Sequence, residues 1–219
     1  MPNELFQNQS YDTASSKEIS TELSGIFKRR RTIRDFSKKK PERETILNCL
    51  EVANSAPSGA NKRPWGFVLV EDQELKEHIR ELAEYEERKF YHESPNKGWL
   101  EDLKDIGTNH LKSFLTDCPY LIAIFFRNYS ENQAGGRDKN YYAKESTGIA
   151  TGFLISALHL CGLNVLTYTP TRMQFLRGVL ERKREEKVFM LLGVGHASEG
   201  CQVPILRRKT LEQVLQIYQ

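Results

Sequence analysis

Apolar residues along the chain alternate between two spacings, and the changes of spacing mark out its elements. Ile19, Leu23 and Ile26-Phe27 recur every three to four positions and predict a helix over about 16–29. A second helix starts after Pro41, with Glu42 and Glu44 in a first turn where the helix dipole favours acid. Ile46, Leu50 and Val52-Ala53 form its apolar face, and it stops at APSGAN (56–61), where Pro57 and Gly59 break the pattern. WGFVLVED (65–72) is almost continuously apolar, as a strand covered on both faces would be. Two charged helices are expected at 73–93 and about 99–115. YLIAIFF (120–126) and KVFMLLGVG (187–195) read as buried strands, and NVLTYT (164–169) as a strand ending at Pro170. A helix over 141–161 stops at Gly162. A short helix precedes the strand at 187, and the tail 209–218 is amphipathic, with Leu211, Val214-Leu215 and Ile217.

Helices first, then strands interleaved with helices, predict an α+β chain layered as a three-layer α/β/α sandwich around one sheet. No repeat or linker divides it, so the expected organisation is a polar arm over 1–24, reaching into the first helix, and one domain over 25–219. Ser146–Thr171 carries no formal charge over 26 residues, long enough to span a bilayer. Its His159, Asn164, scattered hydroxyls and Thr169-Pro170 instead favour a buried helix followed by a buried strand. The N-terminal MPNELFQNQSYDTASSK has no apolar core, so no signal peptide is expected and a cytoplasmic location is.

Charge then singles out one stretch. KRRRTIR (28–34) is basic at five of seven positions, yet the whole chain balances 32 Lys and Arg against 29 Asp and Glu. A nucleic-acid binder shows a clear excess, so the cluster reads as a local feature and no nucleic-acid partner is expected. Cys49, Cys118, Cys161 and Cys201 form no CxxC, and the five histidines form no HExxH, so neither a disulfide framework nor a metal site is expected. GVGHASEG (193–200) follows a strand but is not GxGxxG and opens no helix, which argues against a dinucleotide fingerprint.

Four features carry chemistry when read together. Arg30, Arg31 and Arg34 flank Thr32, and arginine forks match phosphate oxygens two at a time. Pro57-Ser58-Gly59-Ala60-Asn61 forms a tight turn where glycine lets backbone approach a flat ligand. Thr167-Tyr168-Thr169-Pro170 sits at a strand's end, and Arg207-Arg208-Lys209 is a second basic cluster. In this order the chain resembles the FMN-dependent nitroreductase superfamily, and within it the iodotyrosine deiodinase branch. The carrying residues are RRTIR (30–34), APSGAN..PW (56–65), EERKFY (86–91), Trp99 with Asp102-Leu103 and Lys112, YY..ES..IA.G (141–152), GL...T.TP (162–170) and LLGVG with the later RRK (191–209).

The resemblance implies a nitroreductase-like fold with a central, mostly antiparallel sheet flanked by helices and a helical lid over about 73–115. It implies that Arg30, Arg31, Thr32, Ile33 and Arg34 hold the FMN phosphate and ribityl end, with Arg208 a further phosphate contact. Ser58, Gly59 and Ala60 would line the flavin, with Ala60 also against substrate. Thr167, Tyr168 and Thr169 would run along the isoalloxazine edge, the Thr169 hydroxyl hydrogen-bonding N5 as the catalytic contact. Glu87 and Tyr91, four apart on one helix face, and Lys112 would clamp the ammonium and carboxylate of a halotyrosine. The implied activity is reductive dehalogenation with electrons from NAD(P)H, directly or through a reductase. The implied assembly is a homodimer with FMN at the interface, without a membrane anchor. A general nitroreductase or quinone reductase on the same fold is the alternative, though flat neutral substrates need no zwitterion clamp.

Overall fold

A computed structural model of the chain describes residues 12–93, 98, 101, 108–132, 134–170 and 172–219. Two compact units are distinguished, Met1–Arg31 and Thr32–Gln219. In the first, helix α1 (Thr13–Lys28) is capped by Asp12, whose carboxylate accepts from the Ser15 amide at 2.9 Å. Lys28 lies in its last turn and Arg29 caps it, so these two charges finish a helix as its dipole prefers. No residue of α1 is buried, and Ile19 and Leu23 stay exposed.

The second unit is built on one sheet with strands β1 (Trp65–Val70), β2 (Tyr120–Arg127), β5 (Asn164–Tyr168) and β6 (Glu186–Gly195). Their order is β1-β2-β6-β5, and all three pairings are antiparallel. Thr32 adds a parallel bridge to Val165, so the sheet is mostly antiparallel, as expected. Period-two alternation on β2 sends Leu121, Ala123 and Phe125 to one face and Tyr120, Ile122 and Ile124 to the other. Each face is covered by helices, which gives the three layers. Helices α2 (Arg43–Asn54) and α5 (Ala143–Leu160) pack one face through Ile46, Cys49, Ala53, Leu154 and Leu158. Helix α3 (Gln73–Glu93), the four-residue α4 (Phe114–Asp117) and α6 (Phe175–Val179) cover the other through Ile79, Ala83, Phe114, Leu115 and Leu176.

The uncharged stretch resolves into α5 followed by β5, and no described helix is long and apolar enough to cross a membrane. Gly162, at φ +74°, ends α5, with Leu163 N–H donating back to Leu158 C=O at 2.9 Å. The glycines of GVGHASEG also have a structural reason. A Cβ on Gly195 would stand 2.6 Å from Pro119 Cδ and 3.1 Å from Phe36 Cδ1, so the strand end is glycine because the backbone is crowded. A hairpin of β3 (Tyr129–Glu131) and β4 (Arg137–Lys139) closes around Gly135 and was not expected from the apolar pattern. The amphipathic tail forms a short 3-10 turn at Leu211–Gln213, and Leu211, Val214, Leu215 and Ile217 are exposed. Part of the expected helix at 99–115, including Trp99, Asp102 and Leu103, lies outside the described residues, and 108–113 are not helical, so among the described residues at its end only Phe114 and Leu115, in α4, are in a helix.

Candidate active site

The site begins with the core stripe of α3. Asp72 starts this helix by accepting from the Leu75 amide at 2.7 Å. Ile79 and Ala83 are fully buried against the sheet, and the next two steps of four along the same face are Glu87 and Tyr91. A carboxylate therefore sits where the stripe calls for an apolar side chain, and it is 8 % exposed. Burial of a charge is tolerated when the charge is paired and hydrogen-bonded.

Both conditions are met. Lys112 Nζ stands 3.2 Å from Glu87 Oε2, and the Tyr168 hydroxyl donates to Glu87 Oε1 at 3.1 Å. Lys112, only 3 % exposed, also donates to Thr108 Oγ1 at 3.4 Å and to the Asn109 carbonyl, which occupies all three of its protons. Its main-chain amide donates to Glu84 Oε1 at 2.9 Å, so the segment before α4 is tied to α3 twice. Tyr91 donates to the Thr108 carbonyl at 3.3 Å. Lys112 Nζ lies 5.7 Å from the Tyr91 ring centre and 5.8 Å from that of Tyr168, within cation–π range. The predicted trio of Glu87, Tyr91 and Lys112 is thus one buried cluster.

Burial shapes the acidities here. It pulls the Lys112 amine below its ordinary range, which the Glu87 carboxylate partly offsets. It pushes the Tyr91 and Tyr168 phenols up, and Glu87 pushes both further, so both stay protonated donors. Arg34 is half-buried and electrostatically coupled to Tyr91 and Lys112, with desolvation lowering its own proton affinity.

Beside this cluster runs β5, an edge strand whose outer side is bridged at Thr32–Val165 among the described residues. Ile33 donates its amide to the Val165 carbonyl at 3.4 Å and is buried, as is Phe36, which pins the Thr32–Phe36 segment against the sheet. Alternation splits the three residues expected along a flavin edge. Thr167 and Thr169 present exposed hydroxyls, while the Tyr168 side chain turns the other way into the Glu87 cluster, its ring edge-on to Phe114 at 5.7 Å.

The PSGAN turn is held from α5. The Gly59 amide donates to Ser146 Oγ at 3.3 Å, and the Arg63 amide to Ser58 Oγ at 2.9 Å. A Cβ on Gly59 would lie 2.7 Å from the Tyr141 carbonyl oxygen, so only glycine fits. Ala60, Asn61, Arg63 and Tyr142 all adopt positive φ, between +43° and +54°, a conformation unfavourable for side-chain-bearing residues. Such strain collects where backbone is shaped for a ligand. Arg30 follows the α1 cap, its amide donating to the Phe27 carbonyl at 3.2 Å. Arg31 is half-buried, and Arg208 lies in the exposed tail. Sequence reasoning missed the side chains of Tyr168, Glu84 and Thr108 and the Asn109 carbonyl; only the period-two pattern of β5 could have separated Tyr168 from its neighbours.

The described residues thus present a strand ending in two exposed threonines, a turn with positive φ beside Gly59, and a buried, paired Glu87–Lys112 cluster. The chain belongs to the nitroreductase family, whose sequence pattern matches residues 27–196. It is 44 % identical over 199 residues to the iodotyrosine deiodinase of Haliscomenobacter hydrossis, covering 91 % of this chain and 90 % of that one. It is 42 % identical over 196 residues to the Drosophila melanogaster iodotyrosine deiodinase, covering 88 % and 68 %. The crystal structure of oxidized iodotyrosine deiodinase bound to FMN and 3-iodo-L-tyrosine superposes with TM-score 0.74 at 31 % identity, covering 86 % of this chain and 96 % of that one. A Bacteroides fragilis nitroreductase with bound FMN shares the fold, with TM-score 0.66 at 19 % identity over 90 % and 99 % of the two chains. Within the family, the chain falls in the iodotyrosine deiodinase branch.

Proposed function

We propose that the chain is an FMN-dependent reductive dehalogenase of halotyrosines, with the buried Glu87–Lys112 pair as the observation that carries the reading. A neutral aromatic substrate has no use for two opposite charges buried beside a cofactor edge. An amino acid needs both: Glu87 takes its ammonium, Lys112 its carboxylate, and the Tyr91 hydroxyl orders the head group. Closing the cluster over the substrate fixes the ring and excludes water.

The residues fit FMN. The exposed Thr167 and Thr169 and the outer side of β5 beyond its bridge at Val165 suit the hydrogen-bonding edge of an isoalloxazine ring. The Thr169 hydroxyl donates at N5. Ser58, Gly59 and Ala60 line the ring, with Ala60 against substrate. Thr32, Ile33 and Arg34 take the ribityl and phosphate end, with Arg30, Arg31 and Arg208 as further phosphate ligands, assigned from the RRxxR and RRK spacing. Reduced FMN supplies the two electrons that, with one proton, replace halogen by hydrogen and release halide. NAD(P)H, directly or through a reductase, is the electron source.

The assembly is a homodimer with the cofactor at its interface. Its support is the apolar surface left open along α5, at Ile149 and Phe153, and along the tail, where Ile205, Leu211 and Ile217 are 98 %, 64 % and 68 % exposed.

The test is anaerobic reduction of the FMN-loaded protein followed by addition of 3-iodo-L-tyrosine or a nitroaromatic. Oxidation by iodotyrosine with stoichiometric tyrosine and iodide is expected. Fast oxidation by the nitroaromatic with none by iodotyrosine would establish the general nitroreductase instead. A preparation that cannot bind FMN would overturn both.

A further inference from the structure

We propose that Tyr168 is a positioning residue for the substrate's ammonium group, acting through Glu87; the inference rests on the zwitterion clamp just described. The two oxygens of Glu87 are divided between two partners of different kinds. Oε2 faces Lys112 at 3.2 Å, and Oε1 accepts from Tyr168 at 3.1 Å.

Binding an amino acid splits the Glu87–Lys112 pair into two new ones. Lys112 turns to the incoming carboxylate and keeps its neutral acceptors, Thr108 Oγ1 and the Asn109 carbonyl. Among the described residues, Glu87 has no such reserve apart from Tyr168. Without that hydroxyl, a carboxylate 8 % exposed would lose its lysine before the ammonium arrived, with nothing to hold its charge or its direction. Tyr168 supplies both. It holds Oε1 throughout the exchange and leaves Oε2 as the one oxygen aimed at a cation.

The tyrosine is fixed well enough to do this. It sits in β5 opposite Leu191, is 7 % exposed, and its ring meets Phe114 edge-on at 5.7 Å. Its phenol, pushed up by burial and by Glu87, stays a donor across the working pH range.

Tyr168→Phe removes one hydroxyl and keeps the ring on Phe114. The FMN-loaded parent and variant are titrated with 3-iodo-L-tyrosine and with 2-iodophenol, which lacks both charged groups, following flavin fluorescence. The variant is expected to bind iodotyrosine about tenfold or more weakly, the worth of a hydrogen bond to a charged group, with iodophenol within twofold. Adding Tyr168→Phe to Glu87→Gln is expected to weaken iodotyrosine binding by no more than about twofold further, because the positioned charge is already gone. FMN affinity and thermal midpoint report on the fold. Should the single variant not fold, the comparison in the Glu87→Gln background, against Glu87→Gln/Tyr168→Leu, decides by the same ligand pair. Equal weakening of both ligands, or full additivity with Glu87→Gln, would make Tyr168 a packing residue and overturn the inference. A parent that binds iodophenol as tightly as iodotyrosine overturns the clamp, and the inference with it; a discriminating parent with an equally discriminating Phe variant overturns the inference alone.

Discussion

Replacing Lys112 by methionine fills the same space and removes one charge, and its consequences can be worked from the geometry. The Lys112 and Glu87 side chains are 3 % and 9 % exposed, so solvent screening offers little relief. At 3.2 Å and an effective dielectric near 20, the pair attracts by about 5 kcal/mol. Breaking a buried pair from one side costs roughly 3–5 kcal/mol, because the remaining charge is stranded. For a chain of this size that loss lowers the thermal midpoint by roughly 6–20 °C. Glu87→Gln alone strands Lys112 in the same way, although the Asn109 carbonyl and Thr108 Oγ1 still take two of its protons. The double variant Glu87→Gln/Lys112→Met strands nothing, and its stability is expected to return to within about 1–2 kcal/mol of the parent. Function is expected to behave differently: neither single nor double variant recovers iodotyrosine binding, while all keep FMN. Urea unfolding gives the stabilities and flavin fluorescence the affinities. A single variant that loses less than about 1 kcal/mol, or a double variant that loses the sum of both, would refute the view of these residues as one desolvated, coupled pair.

Gly59→Ala forces a methyl to within 2.7 Å of the Tyr141 carbonyl, and overpacking of this kind costs about 1–3 kcal/mol; an FMN Kd raised by about tenfold is expected, and an unchanged one would remove the turn from the cofactor site. Burial pushes the Cys49 thiol, helped by Cys161 at 3.9 Å, and the Cys118 thiol up to about 12 from 9.0. At pH 8 each then holds about a thousandfold less thiolate than an ordinary cysteine, so a thiol reagent should titrate Cys161 and Cys201 in the native protein and all four only in denaturant. Because the folded state keeps these protons longer, their contribution to stability is intact below about 9 and is lost as pH rises toward about 12. Truncation after residue 203 removes the exposed Ile205, Leu211 and Ile217; a monomer on size-exclusion chromatography with weakened FMN binding is expected, and an intact dimer would take the tail out of the interface.

Most of the fold was legible because burial on both faces of a sheet writes itself as unbroken apolar runs, as in β2 and β6. What escaped has physical reasons too. The β3–β4 hairpin pairs Tyr-Ser-Glu with Arg-Asp-Lys, two exposed strands with no buried face to leave an alternating pattern. The tail has a helical spacing but nothing in one chain to pack against, and spacing without burial does not hold a helix. Within the site, the trio was found through the resemblance, while EYEERK by composition reads as a solvated face. Its position told more than its composition. Counting in fours from Ile79 through Ala83 lands on Glu87, which marks it as a buried carboxylate in need of a partner. Tyr168 escaped because three consecutive residues were given to one ligand, although neighbours on a strand face opposite ways.

If Glu87 and Lys112 clamp a zwitterion as proposed, their resting pair would also act as a two-key lock. An amine without a carboxylate would take Glu87 and leave Lys112 with only its two neutral acceptors, and an acid without an amine would leave Glu87 with only the Tyr168 hydroxyl. Each such half-match forfeits part of what it gains, whereas a molecule bearing both groups at the right separation replaces the resident pair without leaving a remainder. On that proposal the free protein would carry, in its own side chains, a template of the charges it accepts, and would reject an iodinated amine or an iodinated acid by the same interaction that ties Lys112 to α3.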